Sequence, residues 1–441
     1  MAARTKRRRV LGLLAAFLLA GPSLQAEAAG RQESDAGPVT LKEILDLARQ
    51  RNPRLLAARF LAEATSTRED AASLLPDPTL QVGVMNLGLP DFSSSMPASM
   101  APAIQAMQIF PFPGKLSLQG DIAKQTTAMA WASAEELWWD VRTKTATAFY
   151  KLYATDHQLQ VMGSTQELLE QFETVAKAMY AAGTGRQADV LRATVEVARI
   201  DADITRMEST RVSVAARLNA LLNRPAVTPI GSPVLGLMPS VLPAAGVLKG
   251  WAEETRPLLE RSRIDVDRAD TRIALARKQI WPNLGLGVQY GQRNTPTGTQ
   301  HMGGIMLGFS LPIFAGSRQF RLRDEAEAMR QVADAQLGNI RAQVDAKIGE
   351  FTADLDWSRT LVRLYRSEIL PQARATVESS FSSYRVGTVD FMTLIDAQMA
   401  VNRFEAELYV FLSNYGTAVA ELEQVIGRSL PLGDEVLAEV P

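Results

Sequence analysis

Apolar residues recur at alternating spacings of three and four near the C-terminal end of the chain. This heptad pattern is typical of a helix that packs lengthwise in a coiled coil. Subtracting 204 from each position gives a second, similar row in the first half of the chain, which only Arg211 interrupts. The two rows predict long helices over 186–223 and 390–427. The C-terminal row consists of Leu394, Ala397, Val401, Phe404, Leu408, Phe411, Tyr415, Ala418, Leu422 and Val425.

The segments that precede these two rows are almost free of helix breakers. Residues 116–182 contain no proline and only two glycines, and residues 318–385 contain Pro371 and two glycines. We therefore predict one very long helix over each segment. At ~1.5 Å per residue, each would extend roughly 100 Å, far beyond the length of ordinary globular helices.

Period-two alternation of apolar residues indicates strands near 78–87, 101–110, 282–291 and 303–312. Each is about 9–11 residues long, the length of a tilted transmembrane strand. The strands pair as two predicted hairpins, and a polar loop rich in Gly, Ser and Pro joins the strands of each. The alternating residues are Leu80, Val82 and Val84, then Leu284, Leu286, Val288 and Tyr290, then Ile305, Leu307 and Phe309, while the loops are 86–102 and 291–304.

The same offset of 204 residues links many identical positions, among them Pro53 and Pro257, and Pro78 and Pro282. The sequence therefore predicts an internal duplication of one helix–strand–strand–helix unit. A segment between the copies is rich in Pro and Gly and lacks periodicity, so it is interpreted as a linker. The predicted order is a signal peptide at 1–28, a first unit at 29–230, a linker at 231–245, a second unit at 246–430 and a tail at 431–441.

Four strands cannot close a barrel, and open strand edges cannot lie in lipid. The smallest outer-membrane barrels have about eight strands. Several chains must therefore each contribute four strands, and cyclic symmetry is the natural way to close them. The alternative is an elongated soluble periplasmic coiled-coil scaffold, which the strands disfavour.

The N-terminus has the order of a secretory signal peptide. A basic stretch from Arg4 to Arg9 is followed by an apolar run from Val10 to Ala20 and by small residues up to Ala29. The absence of cysteine from the whole chain means that no lipid can be attached to a cysteine near the cleavage site, so the protein is not expected to be a lipoprotein. We expect export to the periplasm or outer membrane of a Gram-negative bacterium.

The composition disfavours both an enzyme and a nucleic-acid-binding protein. The formal net charge is −1, and the chain has two histidines and no cysteine. This leaves no thiolate nucleophile, no HExxH motif and no Cys-ligated metal. The near-neutral charge, without a basic block in the body of the chain, disfavours a nucleic-acid binder. We predict that the protein is not an enzyme and uses no cofactor.

Several duplicated motifs together resemble the TolC family of outer-membrane efflux ducts. They are the Asn52-Pro53 opening, the Pro78 and Pro282 strand entries and two similar glycine turns, 180–185 and 384–389. The resemblance implies a mainly α fold with a small β part: a long antiparallel helical tunnel and four transmembrane strands per chain. In the family, a trimer closes a twelve-stranded barrel in the outer membrane and extends its tunnel into the periplasm.

The resemblance also assigns roles to the turns. Gly183 and Gly387 suit left-handed residues that end one helix before the next begins. In the family these tips meet the periplasmic adaptor, or membrane fusion protein, of a tripartite pump. The implied adaptor-docking residues are Gly183, Thr184, Gly185, Gly387, Thr388 and Val389.

Two proline-containing segments mark the return from barrel to tunnel, where backbone donors are not needed. The first, residues 110–116, reads Phe-Pro-Phe-Pro-Gly-Lys-Leu and resembles the CzcC-like heavy-metal cation branch of the family. The second, residues 311–317, has the commoner family form. The corner residues are Pro111, Pro113, Gly114, Pro312 and Gly316.

Acidic residues near the second turn are candidates for a tunnel gate. Family ducts often carry a ring of carboxylates there, and Asp396 matches one such position, whereas Thr393 occupies another. Asp390 and Asp189 are further candidates, with stabilisation of a helix N-terminus as their alternative role. Methionines in and beside the first hairpin loop, at 85, 96, 100 and 107, are soft-metal ligands in principle, but adaptable apolar packing is the simpler interpretation.

The resemblance implies a passive duct that receives substrate from an adaptor and an inner-membrane RND-type pump. The exported substrate would be heavy-metal cations. Efflux of drugs or small molecules, or type I secretion through a duct of the same family, are the alternatives. The expected partners are two further copies of the chain, the adaptor, the pump and outer-membrane lipid, with no nucleic acid.

Overall fold

The computed structural model describes residues 37–86, 90, 100–239, 241–295 and 297–432. The predicted signal peptide and Met96 lie outside the described residues, as does most of the predicted tail. Helices account for most of the described residues, which confirms a mainly α fold with a small β part.

Each half of the chain runs through short helices, two strands and two long helices. The first half contains α1 (Leu41–Arg51), α2 (Pro53–Ser66), α3 (Arg68–Ser73), α4 (Lys115–Ala181) and α5 (Gln187–Leu221). The second contains α6 (Ala245–Thr255), α7 (Pro257–Lys278), α8 (Gln319–Leu364), α9 (Leu370–Arg385) and α10 (Phe391–Ile426). The strands are β1 (Val39–Thr40), β2 (Thr79–Met85), β3 (Met100–Phe110), β4 (Pro233–Val234), β5 (Leu284–Thr295) and β6 (Gly298–Phe309).

The bounds of these helices repeat at the offset seen in the sequence. Adding 204 to the ends of α1 gives the ends of α6, and adding it to the ends of α4 gives the first residue of α8 and the last of α9. The start of α5 maps in the same way onto the start of α10. Equivalent positions of the two halves therefore occupy equivalent elements.

The predicted seam of the last helix is confirmed. Leu394, Leu408, Tyr415 and Leu422 are at most 1% exposed, and Val401 is also buried. They pack against α4 and the α8–α9 helix. Because apolar burial contributes roughly 1.5–3 kcal/mol per large side chain, this seam stabilises the helical layer along its length.

Arg211, which interrupts the equivalent row in α5, forms an ion pair. Its Nε donates to Asp156 Oδ1 at 2.7 Å and its Nη2 donates to Asp156 Oδ2 at 3.3 Å. The guanidinium is half-buried, so the paired carboxylate of α4 compensates for its desolvation.

The segment predicted as one helix over 318–385 contains a π turn. Residues Tyr365–Ile369 adopt π geometry between α8 and α9, and the backbone N–H of Leu370 bonds to the carbonyl of Tyr365. Pro371 follows directly and has no N–H to donate to the preceding turn. Widening that turn is how the helix accommodates the proline without ending.

Strands β2, β3, β5 and β6 form one antiparallel sheet in the order β2–β3–β5–β6. The predicted loop over 291–304 is wrong. Pairing of β5 with β6 continues through Gln292–His301 and Arg293–Gln300 to Thr295–Gly298. The polar side chains that suggested a loop are compatible with a strand because the ladder is built from backbone groups.

The segment interpreted as a linker packs against the helices. Its residues 233–234 pair in parallel with residues 39–40 as β4 with β1. Met238 is 3% exposed, and the Tyr415 hydroxyl donates to the carbonyl of Pro239. Extended backbone without apolar periodicity is therefore fixed here by tertiary contacts.

We predict opposite stability effects of alanine at two glycines in the long helices. A Cβ on Gly416 of α10 would lie 2.6 Å from ring atoms of buried Tyr150, whereas a Cβ on Gly163 of α4 would meet nothing within 4 Å. Gly416→Ala should lower stability by about 1–3 kcal/mol through overpacking. Gly163→Ala should raise it by about 0.5–1 kcal/mol through helix propensity. Thermal unfolding of the purified chain in detergent measures both, and an equal shift for the two variants would contradict the packing argument.

Candidate functional site

The two turns that join the long helices have the same backbone geometry. Gly183 has φ +74° and Gly387 has φ +78°, so the predicted left-handed residues are confirmed. The Gly183 N–H donates to the carbonyl of Tyr180 at 3.0 Å, and the Gly387 N–H donates to that of Tyr384 at 2.9 Å. Such a residue without a Cβ ends one helix and lets the chain reverse.

The threonines that follow these glycines close both turns in the same way. Thr184 donates its backbone N–H and its hydroxyl to the carbonyl of Met179, at 3.0 and 3.2 Å. Thr388 donates the same two groups to the carbonyl of Ser383, both at 3.0 Å. Each threonine satisfies a terminal carbonyl that the helix itself leaves free.

The two tips differ at the next residue. A Cβ on Gly185 would lie 2.8 Å from the backbone nitrogen of Tyr180, so this position accepts no larger residue without a shift. Its equivalent in the second tip is Val389, which is half-buried. The first tip is therefore more tightly closed than the second.

Asp390 caps the start of α10. Its Oδ1 accepts from the backbone N–H of Thr393 at 2.9 Å and from the Thr393 hydroxyl at 2.6 Å. These hydrogen bonds, with a smaller effect of Arg186 and Arg192, hold the pKa of this exposed carboxyl below its usual value. The geometry is that of an N-cap, the alternative role considered for this residue.

Asp189 and Asp396 lie at other places around the same end of the helices. Asp189 is in the first turn of α5. Burial of the Tyr384 hydroxyl raises the pKa of Tyr384, and the negative charge of Asp189 raises it further. Asp396 is exposed on α10 while its neighbours Leu394 and Ile395 are buried. The carboxylate of Asp396 therefore points away from the apolar seam.

The first corner between sheet and helix is held by a buried lysine that the sequence did not single out. Lys115 is 8% exposed, and its Nζ donates to the carbonyl of Trp281 and to Asn283 Oδ1, both at 2.7 Å. Burial lowers the pKa of this ammonium group. The contacts tie the start of α4 to the entry of β5, which comes from the other half of the chain.

Aromatic and proline residues complete this corner. Phe112 stacks on Trp281 with ring centroids 5.2 Å apart, and its N–H donates to Asn283 Oδ1 at 3.2 Å. Pro111 and Pro113 flank Phe112, and the Pro113 carbonyl accepts from Lys278 Nζ at 3.0 Å. Gly114 adopts φ +85° immediately before α4 begins.

The second corner is more open. The N–H of Ala315 donates to the carbonyl of Pro312 at 3.0 Å, and nothing lies within 4 Å of a Cβ built on Gly316. Ile313 is 78% exposed and Phe314 is 69% exposed. This corner exposes its apolar side chains, whereas Phe112 of the first corner is half-buried against Trp281.

The two faces of the sheet differ in chemistry. Cross-strand register places most of the exposed apolar side chains of the four strands on one face, which we call the apolar face. The opposite face, which we call the inner face, carries mainly glycine, glutamine and methionine, and its other residues include Thr79, Ala103, Ile109 and Arg293. The apolar face consists of Leu80, Val82, Ile104, Ala106, Phe110, Leu284, Leu286, Val288, Tyr290, Ile305, Leu307 and Phe309, with Gln108 and Gly303 among them.

A contiguous apolar surface of this kind marks contact with membrane or protein. Its members include Ile305 at 78% exposed and Leu80 at 68%. In the described part of the chain, no helix is long and apolar enough to cross a membrane. Among the described residues, strands β2 and β6 each pair with one strand, so both are edge strands of this sheet.

The two histidines lie apart. His157 stacks on Tyr409 with centroids 4.5 Å apart among the long helices, and burial lowers its pKa. His301 bonds through Nδ1 to the Tyr290 hydroxyl at 2.7 Å on the sheet. Across the described ranges, no three His, Cys, Asp or Glu residues are grouped to hold a metal ion.

Comparison with known proteins shows which proteins this chain resembles. Residues 250–428 match the model of the outer membrane efflux protein family. The chain is 23% identical over 395 residues to the cobalt-zinc-cadmium resistance protein CzcC of Cupriavidus metallidurans, covering 89% of this chain and 91% of that protein. The predicted resemblance to TolC-family efflux proteins is confirmed.

Solved structures have the same fold. The outer membrane protein VceC of Vibrio cholerae aligns with a TM-score of 0.74 at 17% identity, covering 88% of this chain and 96% of that one. CusC, described for its transmembrane channel formation, aligns with a TM-score of 0.73 at 16% identity, covering 88% and 92%. Because the matched family consists of efflux channels, the prediction that the chain is not an enzyme is also confirmed.

We predict that the buried ammonium group of Lys115 stabilises the first corner. Lys115→Met keeps the length of the side chain but leaves the Trp281 carbonyl without this donor, so stability should fall by about 1–3 kcal/mol. Lys124→Met removes an exposed lysine from the same helix and is the matched control. Thermal unfolding in detergent compares the two variants. Equal melting temperatures would mean that the hydrogen bonds of Lys115 do not hold the corner.

Proposed function

We propose, from the match of residues 250–428 to the outer membrane efflux protein family, that the chain is one subunit of an outer-membrane duct. The observation that carries this proposal is a four-stranded sheet with an exposed apolar face, joined directly to helical hairpins. Helix α4 has 67 residues, or roughly 100 Å at ~1.5 Å per residue. The sheet would span the outer membrane and the hairpins would extend into the periplasm.

The open edges of the sheet support a homotrimer. Lipid offers no hydrogen-bond partners to the unpaired backbone of β2 and β6, so these edges must meet strands of other copies. Three copies with four strands each give a barrel of ordinary outer-membrane size. Cyclic symmetry would pair β2 of one copy with β6 of the next.

The exposed apolar face supports the orientation of that barrel. Outer-membrane barrels turn an apolar band to lipid, bounded by aromatic residues at both interfaces. On this face Tyr290 lies toward the β5–β6 turn, while Phe110 and Phe309 lie at the ends of strands that lead to the helices. The inner face would then line the passage.

The repeated element bounds support an internal duplication, in which one ancestral unit was copied to give the two halves. The proposed division keeps a signal peptide at 1–28, units at 29–230 and 246–430, a linker at 231–245 and a tail at 431–441. The signal would direct export. The lack of cysteine favours a protein without a lipid anchor, held in the membrane by the barrel.

The helix tips are the proposed contact with a periplasmic adaptor, which links the duct to an inner-membrane pump of the RND type. The docking residues would be Gly183, Thr184, Gly185, Gly387, Thr388 and Val389. Their turns are closed by the N–H groups of glycine and threonine and by the threonine hydroxyls. An exposed turn with fixed hydrogen bonds is a suitable element for docking.

The duct would be passive, with energy supplied by the pump. CzcC is a cobalt-zinc-cadmium resistance protein, and on this basis we propose heavy-metal cations as the exported substrate. Efflux of drugs or small molecules, or type I secretion, are the alternatives within the same family.

We predict that the expressed protein enters the outer-membrane fraction as a heat-labile trimer. Open strand edges require partner strands in lipid, so the trimer should run at about three times the mass of the exported chain without boiling and collapse to the monomer on boiling. Membrane fractionation with semi-native electrophoresis makes the measurement. A monomer released by osmotic shock would indicate the periplasmic scaffold instead.

Growth assays test which class of substrate the duct exports. A deletion strain complemented by the chain is grown with Zn, Co, Cd, Cu or Ag salts and, in parallel, with dyes and detergents. Sensitivity of the deletion strain confined to metal salts supports cation efflux, and sensitivity confined to dyes and detergents supports the alternative.

Asp396 is the proposed tunnel gate, with Asp390 and Asp189 as weaker candidates. The exposure of Asp396 on α10 supports this choice, whereas Asp390 already caps its helix. Three copies of an exposed carboxylate around a narrow pore would repel anions and hold cations loosely.

We predict that Asp396→Ala changes conduction. Loss of the three carboxylates should weaken block by divalent cations and alter single-channel conductance in planar bilayers. Glu63→Ala removes an exposed carboxylate from short helix α2 and is the control. If conductance and cation block are the same for both variants and the unaltered protein, Asp396 is not the gate.

A further inference from the structure

The inner face of the sheet carries a concentration of thioethers. Strands β2, β3 and β6 each contribute at least one methionine to that face, whereas β5, which lies between β3 and β6, contributes glycine and glutamine. The methionines concerned are Met85, Met100, Met107, Met302 and Met306.

One row consists of a glycine between two methionines. Gly287 of β5 pairs with Met107 of β3 on one side and with Met306 of β6 on the other. A Cβ on Gly287 would lie 3.3 Å from Cε of Met306 and 3.6 Å from its Cβ. The missing side chain therefore leaves the space into which Met306 leans, toward Met107.

A second row repeats this arrangement four residues further along β5. Gly291 pairs with Met302, and a Cβ on Gly291 would lie 3.0 Å from Sδ of Met100. Met100 thus covers the glycine from the β3 side while Met302 flanks it from β6. Both rows place two flexible thioethers around a position that has no side chain of its own.

A polar contact involving a further methionine of this face lies between the two rows. Gln289 lies between Gly287 and Gly291 on the same face of β5, and its Nε2 donates to Sδ of Met85 at 2.7 Å. This contact shows a methionine sulfur accepting a hydrogen bond from a neighbouring side chain on the inner face. The sulfur of Met85 therefore faces a polar group on this face.

The chemistry of this face selects the class of ligand. Strands β2, β3, β5 and β6 contain no Asp, Glu or Cys, and the one histidine, His301, pairs with Gln292 on the register of the apolar face. Carboxylates that suit hard divalent cations are therefore missing from these strands, and the imidazole of His301 belongs to the opposite face. The charged side chain on the inner face is Arg293, which donates to Gln300 Oε1 at 2.7 Å and is not a cation ligand. The thioethers are the soft ligands of this face, and they select soft monovalent cations such as Cu(I) and Ag(I).

We propose that the inner face of the sheet binds thiophilic monovalent cations through the thioethers of Met100, Met107, Met302 and Met306. The proposal deepens the proposed function and rests on it, because the inner face lines the passage only in the closed barrel. Threefold symmetry would repeat the two rows around the wall. Several weak sites in sequence allow a cation to enter and also to leave, as conduction requires.

Silver binding by the full chain tests the proposal. The purified protein in detergent is titrated with silver nitrate in chloride-free nitrate buffer, and bound silver is measured after equilibrium dialysis. The test variant carries Met107→Leu and Met306→Leu, and a second carries Met100→Leu and Met302→Leu, because leucine preserves volume but has no sulfur. Met162→Leu with Met207→Leu, on long helices α4 and α5, is the matched control.

The unaltered protein and the helix control should bind silver equally. Each sheet variant keeps one of the two rows and should therefore bind about half as much silver as the unaltered protein, and excess zinc nitrate should not compete. If the sheet variants bind as much silver as the helix control, or if the unaltered protein binds none, the methionines of the inner face are only adaptable packing residues and the proposal is wrong.

A second measurement on the same samples separates this proposal from the proposed function. Each preparation is inserted into planar bilayers in nitrate salts. Channels that conduct but bind silver independently of the sheet methionines would overturn the cation site and leave the duct intact. Loss of silver binding in the sheet variants of a protein that forms no channels would support the thioether site and overturn the duct.

Discussion

The unsatisfied backbone of two strand edges is the constraint on which the rest of this molecule depends. The four-stranded sheet buries little of either face within one chain, and β2 and β6 each lack a second partner. In water these edges would invite aggregation, and in lipid each unpaired group would cost several kcal/mol. In the proposed trimer each open edge pairs with a strand of the next copy, which removes the unpaired backbone groups in both cases. The long helices then follow the same symmetry because the corners join them directly to the strands.

Equivalent structural positions in the two halves of the chain are stabilised by different residues. At the start of α2, Asn52 accepts from the N–H groups of Arg54 and Leu55, whereas at the start of α7 the carboxylate of Glu136 from α4 accepts from Leu258. The first corner is held by Lys115, but its equivalent in the second half is Gln319. Such differences mean that the halves are not interchangeable around a ring, so a trimer would present six helix tips of two kinds.

Much of the helical layer could be predicted from the sequence because its signals are local or strictly periodic. The seam from Leu394 to Leu422 is buried as its heptad spacing requires, and Gly183 and Gly387 have the left-handed φ that a chain reversal needs. Features that depend on distant partners could not be predicted. Lys115 reads as an ordinary helix-start lysine until Trp281 and Asn283 are placed beside it. Pairing beyond Gly291 was missed because polar residues in a ladder have the composition of a loop.

The two proposed contacts with a cation, at opposite ends of the passage, differ in what they can distinguish. Carboxylates near the helix tips attract any cation by charge. A gate at Asp396 would therefore select entering ions by their charge and would not distinguish one element from another. Thioethers on the inner face have no charge, and they discriminate by polarisability, which separates soft monovalent ions from the divalent ions that carboxylates also hold. A cation passing both would meet a long-range attraction first and a short-range, element-selective contact last. Selectivity at the outer end would therefore be independent of the pump, because the glycines that make room for the methionines belong to the strands of the duct itself.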